Sequence, residues 1–139
     1  MLRWEELLTR RSRMTATGAI VAIAVLSLFI TLNGLAQSFR NAPASAAEMK
    51  NPYAGDASAA TGGKKLYTQN CAQCHGNDLQ GMGPAPSLIS AKVKSASAGD
   101  LFWFITNGDL NKGMPGWPQL PKQQRWQIVT FMESKNGAK

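Results

Sequence analysis

All-α is the fold class this sequence predicts, on three observations. In the C-terminal segment Trp126, Ile128, Val129, Phe131 and Met132 recur mostly at helical spacing, and no strand pattern in the chain is convincing. Residues 14–39 form an uncharged run of 26 residues between Arg13 and Arg40. The two cysteines and the one histidine of the whole chain stand together as Cys71-Ala72-Gln73-Cys74-His75. These features predict a small helical domain wrapped around one covalent haem, preceded by a single transmembrane helix and a flexible linker.

The chain opens with a leader, residues 1–13, that carries Arg3, Arg10, Arg11 and Arg13. Residues 14–36 follow as the expected transmembrane anchor or uncleaved signal, most apolar over 19–32. About 20 such residues span a hydrocarbon core of about 30 Å. The arginines precede the run, so the positive-inside rule leaves the leader in the cytoplasm and sends the remainder outward. Small-residue cleavage sites fit loosely at Gly34-Leu35-Ala36 and Ser45-Ala46-Ala47. The first needs an unusually long apolar region and the second lies far beyond it, which favours a retained anchor. Arg10-Arg11 faintly resembles a twin-arginine signal, but that route exports folded proteins, and this haem is added after export.

Residues 37–61 are rich in Ala, Ser, Asn, Pro and Gly. Such a composition cannot bury a core, and it reads as a flexible Ala/Ser/Pro linker with a reach of about 25–30 Å.

Residues 62–139 are the expected haem domain. Its first helix leads through Leu66, Tyr67 and Asn70 into the cysteine motif. Residues 76–94, rich in Gly, Pro and Ser, read as a loop. A second helix starts at Ala98-Gly99-Asp100, has the apolar body Leu101-Phe102-Trp103-Phe104-Ile105, and stops at Asn107-Gly108. Gly113-Met114-Pro115-Gly116-Trp117-Pro118 is another loop, and Pro121 opens a last helix with Trp126, Ile128, Val129, Phe131 and Met132. About 78 residues make a thin core, so the haem is expected to be part of the fold.

Cys-x-x-Cys-His is the attachment pattern of c-type haem. Cys71 and Cys74 form thioethers to the two vinyl groups, and a two-residue gap on a helical turn lets both thiols reach one ring edge. His75 then meets the iron as proximal ligand. A disulfide across so short a loop gains little and leaves His75 unexplained. A thioredoxin-type pair expects a βαβ setting, and a zinc site needs a fourth ligand. Covalent attachment takes place outside the cytoplasmic membrane, in agreement with the orientation of the anchor. The expected address is the inner membrane, single-pass, with the haem domain on the periplasmic side.

With no second histidine, the opposite face of the iron falls to methionine, lysine, water or nothing. Met132 lies in a helical apolar stripe and reads as core. Met114 sits in a proline- and glycine-rich loop that can present a thioether with little entropy to lose. Met82, in Gly81-Met82-Gly83, is the alternative, although its loop would have to pass the haem edge. His/Met ligation raises the reduction potential and closes the iron to substrate.

The formal charge is +7, and from residue 61 onward eight lysines and one arginine face three aspartates and one glutamate, leaving +5. A basic carrier suits redox protein partners with acidic docking surfaces. No basic helix or aromatic-basic interleaving points to nucleic acid.

The ordered motifs from residue 62 onward resemble a small bacterial class I cytochrome c. They are Cys71-Ala72-Gln73-Cys74-His75-Gly76, the proline loop Gly81-Met82-Gly83-Pro84-Ala85-Pro86-Ser87-Leu88, the helix ending Thr106-Asn107-Gly108, Gly113-Met114-Pro115-Gly116-Trp117 and Arg125-Trp126 through Phe131. The resemblance implies haem on Cys71 and Cys74, with His75 and Met114 as axial ligands. It implies that Pro86 offers its carbonyl to the ring N–H of His75, and that Gly63 and Tyr67 lie where the first helix crosses the last, near Phe131. A methionine at position 82 departs from the family pattern.

No catalytic residue is expected. The function expected is a membrane-tethered monohaem carrier that transfers single electrons between respiratory or periplasmic partners. The alternative is a permanent haem c subunit of a larger oxidoreductase, such as an oxidase, a nitric oxide reductase or a quinoprotein dehydrogenase. A catalytic or gas-sensing haem would require Met114 to be off the iron.

Overall fold

The computed structural model describes residues 41–137. The expected cytoplasmic leader (1–13), the expected anchor (14–36) and the first residues of the expected linker lie outside the described residues. Six helices follow one another: α1 (Ala44–Glu48), α2 (Ala57–Asn70), α3 (Ala72–His75), α4 (Ala91–Ser95), α5 (Ala98–Asn107) and α6 (Lys122–Asn136). A 3-10 turn covers Leu110–Lys112. Among the described residues there is no strand, only the isolated bridges Met82–Ala85 and Asp109–Met114. None of the described helices is long and apolar enough to cross a membrane.

The domain is built on the crossing of α2 and α6. Asp56 starts α2 by accepting the N–H groups of Ser58 at 2.8 Å and Ala59 at 3.0 Å, a cap that stabilises a helix by about 1 kcal/mol. Gly63 lets the two helices meet backbone to backbone: a Cβ there would lie 1.9 Å from the Gln127 carbonyl oxygen. One turn later Tyr67 packs against Phe131, ring centres 5.3 Å apart and tilted by 50°. Such a pair contributes about 0.5–1.5 kcal/mol beyond its burial.

Helix α5 closes the core against α6. Ser97 and Asp100 form a reciprocal capping box at its start, and Gly108, with φ of 72°, ends it. Phe102 stacks on Trp126 at 4.1 Å. The resulting core is continuous and includes Tyr67, Leu79, Leu101, Phe102, Ile128, Val129 and Phe131.

Two stretches differ from the sequence expectation. Within the span expected as a linker, 37–61, residues 41–56 are folded onto the domain as a strap, and α2 begins at Ala57. A strap of small residues cannot make a core, but it can lie on one. Ala46 is buried, and a Cβ at Gly99 would stand 1.8 Å from its carbonyl oxygen. Asn51 then donates from Nδ2 to Thr130 Oγ1 at 3.0 Å and to Glu133 Oε2 at 2.8 Å. In the expected loop 76–94, Ser90 caps the single turn of α4. Four to five residues of helix give too short a pattern to be recognised by periodicity.

Candidate haem site

The cysteine motif lies at the junction of α2 and α3. Cys71 leaves helical geometry (φ −124°), ending α2 and opening α3. Its N–H still bonds the Tyr67 carbonyl at 2.8 Å, and its carbonyl accepts from Cys74 at 3.1 Å and His75 at 2.9 Å. One tight turn therefore carries both thiols and the imidazole. Cys71 is half-buried, Cys74 exposed and His75 buried. Both thiols are free. Burial, and then the neighbouring Cys74, push the Cys71 thiol up to about 11. An unmodified Cys71 is thus a neutral thiol at ordinary pH, unlike the acidic cysteines of redox pairs.

The imidazole is held from behind. His75 Nδ1 stands 3.0 Å from the Pro86 carbonyl oxygen. With the proton assigned to Nδ1, it donates to that carbonyl, and Nε2 is the nitrogen left for a metal. The loop carrying Pro86 is drawn close by Gly81, whose N–H bonds the His75 carbonyl at 2.9 Å. A Cβ at Gly81 would lie 2.5 Å from Ala85 O and 2.7 Å from the Pro86 carbonyl carbon, and its φ of 81° suits glycine. Leu79, buried at the base of the loop, takes φ of 61° and pairs through its carbonyl with Leu88 N–H at 2.8 Å. Tyr67 donates its hydroxyl to the Gly76 carbonyl at 2.6 Å, tying the end of α3 to the helix crossing. Burial, followed by Cys71 and Asp78, pushes that phenol up to about 12. The positioning roles of Gly81 and Leu79 are absent from the sequence reading. The only signal for Gly81 is a glycine in a proline-rich loop, and nothing in its sequence separates Leu79 from any other leucine.

Met114 is half-buried on a loop closed by Gly108 and Gly113, both at positive φ. Its carbonyl accepts from Asp109 N–H at 2.9 Å and its N–H donates to Asp109 O at 3.1 Å. Gly116 brings this loop against the end of α5, where a Cβ would meet Thr106 O at 2.6 Å. Met82 is 56% exposed, on a turn closed by Ala85 N–H to its carbonyl at 3.0 Å.

The donor set fits haem c: two unpaired thiols on one turn, and an imidazole with one nitrogen engaged and the other available. Among the described residues, no three of His, Cys, Asp and Glu are grouped so as to hold a bare metal ion.

The chain is similar to known proteins over this part of its length. Residues 58–132 match the family model described as cytochrome c oxidase, cbb3-type, subunit III. Cytochrome c550 of Pseudomonas aeruginosa is 32% identical over 92 residues, covering 61% of this chain and 61% of that protein. The cbb3-type cytochrome c oxidase subunit CcoP of Azospirillum brasilense is 35% identical over 92 residues, covering 60% of this chain. The match spans 31% of the CcoP length, so both relatives extend well beyond the part shared with this chain. A helical domain whose CxxCH turn carries two free thiols and a buried, oriented histidine, and whose matched span takes in α3 to α5, nearly all of α2 and α6 as far as residue 132, belongs to the cytochrome c oxidase cbb3-type subunit III family and is a small class I cytochrome c.

Proposed function

We propose that this chain is a membrane-tethered carrier that passes single electrons between respiratory or periplasmic partners through one covalent haem. The observation that carries this reading is the fixed imidazole: His75 Nδ1 at 3.0 Å from Pro86 O, with Nε2 left for the iron. Cys71 and Cys74 hold the haem as thioethers. Met114 is the distal ligand in this reading. Its backbone is clamped at both polar groups, whereas Met82 lies 56% exposed on its turn. When bound, the haem supplies reversible one-electron chemistry at a potential raised by His/Met ligation. The polypeptide orients the imidazole through Pro86, presents the thioether from a stiff loop and keeps exogenous ligands away. The anchor at 14–36 retains the domain on the periplasmic face of the inner membrane, and the net +5 beyond residue 61 steers it to acidic partner surfaces.

Carbon monoxide and cyanide should bind the reduced and oxidised protein poorly, and Met114→Ala should abolish the iron–thioether charge-transfer band while Met82→Ala leaves it. Rapid ligand binding by the unaltered protein would sink the carrier reading. N-terminal sequencing of the mature protein distinguishes anchor from cleaved signal.

A second reading has support from the CcoP relative, which is named as an oxidase subunit. In it the same domain serves as a permanent haem c subunit of a larger oxidoreductase. Mild-detergent purification separates the two: a fixed subunit stays with its complex through size exclusion, and a carrier elutes alone.

A further inference from the structure

We propose that Asp109 is a positioning residue for Met114, and that Asn41, at the start of the strap, holds Asp109 in place. This rests on Met114 being the distal ligand. The loop from 109 to 114 has little packing of its own: Leu110 is 78% exposed, and Asn111, Lys112 and Gly113 are exposed too. Its closure depends on Asp109, which takes both backbone polar groups of Met114, at 2.9 and 3.1 Å. The Asp109 side chain, unlike its neighbours, is buried, with 7% of its surface accessible. Its Oδ2 accepts from two donors, Lys112 Nζ at 2.9 Å and Asn41 Nδ2 at 3.2 Å. Lys112 is three residues away and 75% exposed, so that ion pair only tightens the loop upon itself. Asn41 is 68 residues away in sequence and is the tie that fastens the loop to the strap. The strap in turn is pinned by Ala46 on Gly99 and by Asn51 on Thr130 and Glu133. The methionine loop is therefore held to α5 by the covalent chain and by the Trp117 N–H bond to Ile105 O at 2.8 Å, and a further hydrogen-bonded route reaches it from the N-terminal side. Loosening that N-terminal route lets Met114 leave the iron more often without unfolding the domain.

The test uses the full-length haem-loaded chain and reads the rate of cyanide binding to the ferric form, which is limited by departure of the methionine. Losing a hydrogen bond to a charged acceptor in a half-exposed setting corresponds to about a tenfold change. Asn41→Ala should raise the cyanide rate by about tenfold, and Asn41→Asp by at least as much, because it sets two carboxylates together. Asp109→Asn, which keeps the backbone bridge but loses charge, should fall between Asn41→Ala and the unaltered chain or match Asn41→Ala. Phe131→Leu, at the α2–α6 crossing, serves as a control that lowers thermal stability without touching the loop; its cyanide rate should stay unchanged. An unchanged rate in both Asn41 variants, or an equal rise in Phe131→Leu at matched stability, overturns the inference. Met114→Ala separates this from failure of the ligand assignment: if it keeps the charge-transfer band, Met114 is not the ligand and both fall. If it loses the band while the Asn41 variants remain unchanged, only the role of the strap falls.

Discussion

At the scale of single residues, the haem turn is positioned by groups that carry no chemistry themselves. Tyr67 is buried, and its hydroxyl is held at 2.6 Å by Gly76 O. Tyr67→Phe should cost about 1–2 kcal/mol, the range for a lost buried hydrogen bond, measured as a fall in the urea midpoint. The phenol is raised from 10.0 to about 12, first by burial. A raised value favours the protonated form in the folded state, so this stabilisation is complete below pH 10.0 and is lost as pH rises towards about 12. The difference in stability between the native chain and Tyr67→Phe should therefore shrink across that window; a constant difference would contradict it. Gly81 acts on the other side of the imidazole. Gly81→Ala meets both an unfavourable φ and the backbone of Ala85 and Pro86, at a cost of about 2–3 kcal/mol. Displacing the Pro86 carbonyl weakens its bond to His75, makes the imidazole a poorer donor to ferric iron and should raise the reduction potential. Potentiometric titration of that variant checks the direction.

At the scale of elements, two glycines govern two different contacts. Gly63 sets the α2–α6 distance and Gly99 seats the strap on α5. Gly63→Ala forces the principal helix pair apart and is expected to destabilise the domain by about 3 kcal/mol or more, or to prevent folding. Gly99→Ala should cost less, about 1–3 kcal/mol, and should open the strap first. Limited proteolysis would then cut ahead of Asp56 while the fragment carrying α2 to α6 survives. Simultaneous loss of both regions would mean that strap and core unfold as one unit. The start of α5 was legible from Asp100 near its N-terminus, because an acidic residue in the first turn is a local signal, while the part Ser97 plays in the capping box came from the structure. The strap was not legible, because its binding depends on a glycine about fifty residues away.

At the scale of the whole molecule, the polypeptide core is thin and the site sits against it. Cys71 is packed at the edge of the core cluster, and His75 is itself buried. A Cys71→Ser, Cys74→Ser chain, which cannot attach haem, should lose much of its far-UV helical signal or melt at a clearly lower temperature. An unchanged cooperative transition would show that the polypeptide folds without help from the cofactor. The helical class and the order of the helices were legible from periodicity and from the Asn107-Gly108 stop. The extent of α2 and the single turn of α4 were not, since Ala- and Ser-rich segments carry no apolar stripe.

What the sequence by itself determined is the chemistry: a motif of three residues at local spacing names the haem class, because thioether and imidazole must share one helical turn. It also determined the helical class, through periodicity. The tertiary structure decided the distances that join residues far apart in sequence. Eleven residues separate His75 from Pro86, and 68 separate Asn41 from Asp109. It also decided that residues 41–56 lie on the domain, because burial of small residues depends on the shape of the surface that receives them. No composition rule contains that shape.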